Sequence, residues 1–149
     1  MYSIKSVAKG RTVPMQEVKD PVFSEEVLGK GVAVIPEDGK IYAPADGEIT
    51  MICDTGHAFS MKTDYGAELL VHIGIDTVKL KGKGFSYLVK TGDKVKEGQQ
   101  IAKVNLLKLK WAGYDPVTPV IVCNWEDFQQ FAPVTGEKVN PGDEILRLL

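Results

Sequence analysis

Two stretches of this chain, Thr91-Gly-Asp-Lys-Val-Lys-Glu-Gly-Gln-Gln-Ile-Ala-Lys-Val104 and Thr135-Gly-Glu-Lys-Val-Asn-Pro-Gly-Asp-Glu-Ile-Leu-Arg-Leu148, share one frame, Thr-Gly-acid-Lys-Val-x-x-Gly-x-x-Ile. Each copy reads as a turn, a valine plug, a second turn and a strand, so what one builds the other must build as well. A weaker echo links Ala8-Lys-Gly-Arg-Thr-Val13 to Ala45-Asp-Gly-Glu-Ile-Thr50. Unrelated hairpins share Gly-Asp and Pro-Gly turns, but agreement across a whole frame favours duplication. The expected fold is therefore all-β: an antiparallel β-sandwich built from two related halves packed face to face around one core.

The rest of the chain is punctuated to match, with 15 Gly and 8 Pro falling between short runs rich in Val, Ile, Leu and Thr. The strand-like runs are Gly31 to Pro36, Lys40 to Ala43, Glu48 to Cys53, Ala67 to Ile73, Gln100 to Val104 and Pro119 to Cys123. Two short connecting helices are expected. One runs over Asn105 to Ala112 with Asn105 as its N-cap, and one over Asn124 to Phe131 with acids in its first turn. No linker or charge block divides the chain, so residues 1–149 are read as one domain.

Charge excludes some function classes. With 18 basic and 20 acidic residues the whole-chain field is too weak to argue for nucleic acid or an anionic membrane as partner. The apolar runs Leu69 to Ile75 and Val120 to Cys123 fall far short of the roughly 18 residues a membrane helix needs, and Met1 to Lys5 lacks a signal peptide's apolar core. The expectation is a soluble, cytoplasmic protein without direct membrane insertion. Cys53 and Cys123 have no second cysteine at metal spacing, so both are expected to be buried free thiols.

The chain has only two histidines. His72 interrupts the run Glu68-Leu-Leu-Val-His-Ile-Gly-Ile-Asp-Thr-Val78, where an imidazole is costly to enclose without partners. His57 follows Thr55-Gly56 and opens the strand-like stretch Ala58 to Lys62. If these two strands pair, the rings face each other. A lone histidine on an apolar strand is usually a hydrogen-bonded core residue; two within one motif set point to chemistry.

Three families share a duplicated, turn-rich β construction. Biotinyl and lipoyl carriers need a modified lysine at a tight hairpin tip; Ser60-Met-Lys-Thr63 offers Lys62, but in a strand. Lysostaphin-type zinc peptidases need more ligands than two histidines supply, and His72-Ile-Gly74 is not His-x-His. The third match is close. Asp20-Pro-Val-Phe23, Gly29 to Pro36, Ala43-Pro-Ala-Asp-Gly47, His57-Ala-Phe-Ser60, Leu70-Val-His-Ile-Gly-Ile-Asp-Thr-Val78, Gly82-Lys-Gly-Phe85 and Thr118 to Val122 resemble the glucose-type enzyme IIA (EIIA) of the bacterial phosphoenolpyruvate-dependent sugar phosphotransferase system (PTS).

The resemblance implies that His72 is phosphorylated by phospho-HPr and passes the group to an enzyme IIB (EIIB) domain of a sugar permease. It also implies that His57 stabilises the phosphate and that Thr55, two residues along the strand, orients His57. The residues agree with this chemistry. A phosphoryl acceptor that must also be a donor should be a neutral nitrogen nucleophile, and positioning with hydrogen-bond donors then suffices without metal or cofactor. Gly74 is expected to let a backbone N–H approach the phosphoryl group. Phe23, Val27 and Leu70 match an apolar docking face, or are core residues; Asp76 sits at the rim facing basic residues of HPr, or is a turn or cap aspartate. Lys79, Lys81 and Lys83 make the following loop basic where relatives are frequently acidic. No leader of the membrane-anchoring sort is expected before the domain. The readings kept beside this one are a prosthetic-group carrier modified on Lys62 and a regulatory module that never holds phosphate.

Overall fold

A computed structural model describes residues Met1–Leu149. The strands in chain order are β1 (Tyr2–Lys5), β2 (Gly10–Pro14), β3 (Lys30–Pro36), β4 (Lys40–Tyr42), β5 (Gly47–Ile52), β6 (Ala58–Thr63) and β7 (Glu68–His72). They continue with β8 (Phe85–Tyr87), β9 (Lys94–Val95), β10 (Gln100–Val104), β11 (Thr118–Val122), β12 (Phe131–Pro133), β13 (Lys138–Val139) and β14 (Glu144–Leu148). Two short helices, α1 (Pro21–Ser24) and α2 (Leu106–Trp111), connect them.

Every strand pairing is antiparallel. One large sheet runs β13-β2-β3-β11-β7-β6-β5-β9, and two small sheets run β1-β14-β12 and β4-β10-β8. The duplication is visible in this order, which reads equivalently from both ends of the large sheet toward the β11–β7 pair. It extends to single hydrogen bonds. Gly92 N–H donates to Ile49 O and Gly136 N–H to Thr12 O, at 2.8 and 2.9 Å; Ile49 N–H donates to Asp93 O and Thr12 N–H to Glu137 O, both at 2.9 Å. The second turns match too, with Lys96 N–H held by Gln99 Oε1 and Asn140 N–H by Asp143 Oδ2. The glycines of both frames have positive φ, as those turns require.

The core follows from period-two alternation. On β7, Leu69 and Val71, with Ile73 just beyond, enter the main cluster alongside Val32, Val34, Phe59, Met61, Val120 and Val122. Each such side chain, taken from water, contributes about 1.5–3 kcal/mol before entropy is charged against it. A smaller cluster of Met15, Val18, Phe23, Ala33, Ile75, Val117 and Ile121 covers part of the large sheet's other face, and Leu70 packs against it. Alternation therefore sends His72 to this second face. A lone imidazole in a hydrophobic run is explained by a strand that is apolar on both sides but has its principal core on one.

Helix α2 forms where expected, with Asn105 Oδ1 accepting from Lys108 N–H at 3.0 Å. The second expected helix does not. Only a 3-10 turn over Trp125–Asp127 appears, and Phe131 opens β12 on the edge of β14. The acids that suggest a helix start are used instead in a local turn, where Asn124 Nδ2 donates to Asp127 Oδ2 and to Gly66 O. The cysteines are free, but the expectation that they are buried is not met. Cys123 is exposed and Cys53 half-buried, because both lie just past the ends of their strands rather than within them. No helix is long and apolar enough to cross a membrane.

Candidate functional site

The β6–β7 register sets Ala58 directly opposite His72, and Ile73 N–H donates to His57 O at 2.7 Å. Strict alternation would place residues 57 and 72 on opposite faces. His57, however, precedes the strand and leaves a turn in which Gly56 N–H donates to Cys53 O and Gly56 takes φ +69°. The rings meet with centroids 5.0 Å apart, edge to face at 72°. Thr55 lies in this turn rather than on a strand, and its Oγ1 is 2.5 Å from His57 Nδ1.

His72 Nδ1 donates to the carbonyl oxygen of Gly74 at 2.6 Å. A carbonyl can only accept, so in the neutral ring the proton sits on Nδ1 and Nε2 carries the lone pair. The Gly74 carbonyl thus fixes the His72 ring, a role beyond the backbone N–H approach expected of this residue. The residue is required for shape. Its φ is +79°, and a Cβ there would lie 2.6 Å from Thr77 Cγ2 and 3.1 Å from Asp115 O. The segment is further tied by Thr77 Oγ1 to Ile73 O at 2.6 Å and by Ile75 N–H to Asp115 O at 2.9 Å. Gly74→Ala is expected to destabilise the fold by about 1–3 kcal/mol. Urea unfolding checks this, and a variant as stable as the wild type would show that the carbonyl's position is not locked.

Neither Nε2 has a hydrogen-bond partner within the chain. Both rings are half-buried, and both titrate below the ordinary histidine value of 6.5. For His72 the main cause is burial, opposed by the Gly74 carbonyl and by the Asp20 and Asp76 carboxylates. For His57 it is burial, reinforced by repulsion from a charged His72. Both are thus neutral at pH 7. An unfolded histidine protonates near 6.5, so on acidification the unfolded chain gains protons first. The contribution of these rings to stability is expected to be full above that pH and to fall as pH drops through it toward the folded values. A double His57→Gln, His72→Gln variant should show a shallower fall in unfolding midpoint across that window.

Other expected site residues divide by exposure. Phe23 is only 4% exposed; its ring lies 4.9 Å from that of His72, so it walls the His72 ring and presents almost no surface of its own for docking. The cause is α1, whose N-cap Asp20 accepts from Val22 N–H at 3.0 Å and whose Pro21 starts the turn, folding Phe23 inward. Leu70 is half-buried, and Val27 is 67% exposed. Asp76 is exposed with φ +61° and makes no side-chain cap, which disposes of the capping role. Lys62 lies within β6, opposite Glu68, at the far end from His57. The hairpin tip is Asp64-Tyr-Gly66, so the position is not that of a carrier lysine.

Sequence reasoning missed Asp20 as a neighbour of His72, although Asp-Pro before an apolar pair is a readable helix start. It also missed the support behind His57. Tyr87 on β8 donates its hydroxyl to Gly56 O at 2.8 Å, and a Cβ on Gly56 would lie 2.9 Å from Phe85 Cβ. No local pattern reveals that contact. The main hollows of the surface are lined by other residues than the two histidines.

Comparison with known proteins bears on the family and the fold. Residues 2–128 match the family described as phosphoenolpyruvate-dependent sugar phosphotransferase system, EIIA 1. The chain is 46% identical over 146 residues to the PTS system beta-glucoside-specific EIIBCA component of Bacillus subtilis (strain 168), covering 97% of this chain but 24% of that protein. It thus spans only about a quarter of that relative. It is 36% identical over 141 residues to the PTS system glucose-specific EIIA component of Oceanobacillus iheyensis, covering 94% of this chain and 86% of that one. Among solved structures, glucose permease IIA from Mycoplasma capricolum superposes with a TM-score of 0.87 at 30% identity, covering 97% of this chain and 94% of that chain. With this pattern, these relatives and this β-sandwich in agreement, the chain belongs to the glucose-type enzyme IIA family of the sugar phosphotransferase system.

Proposed function

We propose that this chain is a phosphocarrier in which His72 Nε2 accepts a phosphoryl group from phospho-HPr and passes it to an EIIB domain during sugar uptake. The observation that carries the reading is the pair of neutral imidazoles 5.0 Å apart, each engaged through Nδ1, with both Nε2 atoms unpartnered. On acceptance, the Nε2 lone pair of His72 forms the N–P bond as the donor's bond to phosphorus breaks. The ring gains positive character, which the Gly74 carbonyl stabilises through Nδ1–H. The transition state is loose and places charge on the peripheral oxygens, so positioned donors do most of the work. Thr55 Oγ1–H donating to His57 Nδ1 puts the second ring's proton on Nε2, where it serves the phosphate as a donor. One ring then offers a lone pair and its neighbour an N–H, which two identical tautomers could not do.

The name of the Bacillus subtilis relative joins B and A components in one chain, which supports an EIIB acceptor here. Val27, Leu70 and Asp76 are assigned to the partner-facing surface, and the whole chain acts as one EIIA domain in the cytoplasm. The test is incubation with phosphoenolpyruvate, enzyme I and HPr. One acid-labile phosphate per chain is expected, formed only when HPr is present; a chain that stays unphosphorylated overturns the proposal.

A further inference from the structure

The near-neutral composition conceals a local gathering of lysines around an exposed apolar ridge. Helix α2 buries Leu109 and half-buries Leu106, which leaves the opposite face to Leu107, 70% exposed, and Trp111, 87% exposed, one turn apart. Lys108 and Lys110 flank this ridge and are exposed. The loop after β7's end runs along the first turn of α2. Asn105 N–H donates to Gly84 O at 2.8 Å, and a Cβ at Gly84 would lie 3.4 Å from Lys108 Cδ. Exposed Lys81 and Lys83 therefore extend the basic flank. The chain's one ion pair is Arg147 with Glu144, so none of these lysines is neutralised by a carboxylate.

We infer that this face is a peripheral docking surface for an anionic lipid bilayer, distinct from the histidine site. Charge complementarity argues for the occupant, since each lysine near such a surface raises partitioning by about fivefold. Shape argues for lipid over an acidic protein. A convex ridge carrying Trp and Leu between lysines suits the headgroup layer, whereas protein anchors are seated in pockets. Nothing crosses the membrane; the ridge rests in the interface.

The test uses the chain with Trp125→Phe, so that Trp111 alone reports, and vesicles of phosphatidylcholine with or without phosphatidylglycerol. A blue shift of Trp111 emission is expected only with phosphatidylglycerol, reversed by high salt. The pair Leu107→Gln, Trp111→Gln should lower co-sedimentation with those vesicles by about tenfold or more, with phosphate acceptance unchanged. Lys83→Gln with Lys108→Gln should weaken it by more than tenfold, as about fivefold per lysine requires. Absence of binding, equal binding to pure phosphatidylcholine, or full binding by the Leu107, Trp111 variant overturns the inference. So does a Trp111 shift with polyglutamate but none with vesicles, which would identify an acidic protein partner instead.

Discussion

His72→Ala is expected to take up no phosphate from phospho-HPr, a fall in acceptance rate beyond about a thousandfold, or more than about 4 kcal/mol of transition-state stabilisation. The loss is total because no other side chain in the site offers an unengaged nitrogen lone pair. His57, the one alternative, holds its own proton arrangement through Thr55 and lacks the Gly74 carbonyl that stabilises a ring turning cationic. The fold should survive. His72 stands at the end of β7, on the face away from the main core, and its one side-chain hydrogen bond is worth about 1 kcal/mol net. Unfolding midpoints and mass measurement on the same sample separate a dead site from a damaged fold. Residual acid-labile phosphate on the variant would move the acceptor to another residue.

His57→Gln is expected to separate the two half-reactions. Acceptance should persist, because the nucleophile's lone pair is set by Gly74 alone and the incoming partner brings its own groups to the phosphate. Onward transfer to EIIB should fall by about 10²–10³, the usual cost of removing one donor aimed at developing charge. In that direction His72 is the leaving group, and the neighbouring N–H is the chain's own side-chain contribution to the departing phosphoryl group. Single-turnover transfer from pre-phosphorylated protein measures this directly. A variant that hands phosphate on at the normal rate would remove His57 from the mechanism. Thr55→Val should reproduce part of the defect and Thr55→Ser restore it, since only the hydroxyl selects the His57 tautomer.

Much of this was legible because it is written locally. The Thr-Gly-acid-Lys-Val frames specify turns that need positive φ at glycine and an aliphatic plug at the following valine, and they fold into equivalent hydrogen bonds in both halves. Asn105 announces α2, and the two histidine motifs mark strands that do pair. Errors arose where local signals are degenerate. Acids after Asn124 suit a helix or a turn, and Phe23, apolar and near the site, suits either an outer face or a wall. Burial decided the second, and burial is a property of what covers a residue.

Residue order alone therefore determined the duplicated β architecture and singled out the two imidazoles, since both depend on spacing and side-chain chemistry within single segments. Tertiary structure alone decided which way the rings point: alternation along β6 would have parted them, and the turn held by Gly56, Phe85 and Tyr87 brings them together. It likewise decided where lysines gather, because a chain whose basic and acidic residues cancel in sum can still place Lys83, in the loop after β7, beside Lys108 of α2. Long-range contacts between segments distant in sequence set both outcomes, and no local pattern encodes them.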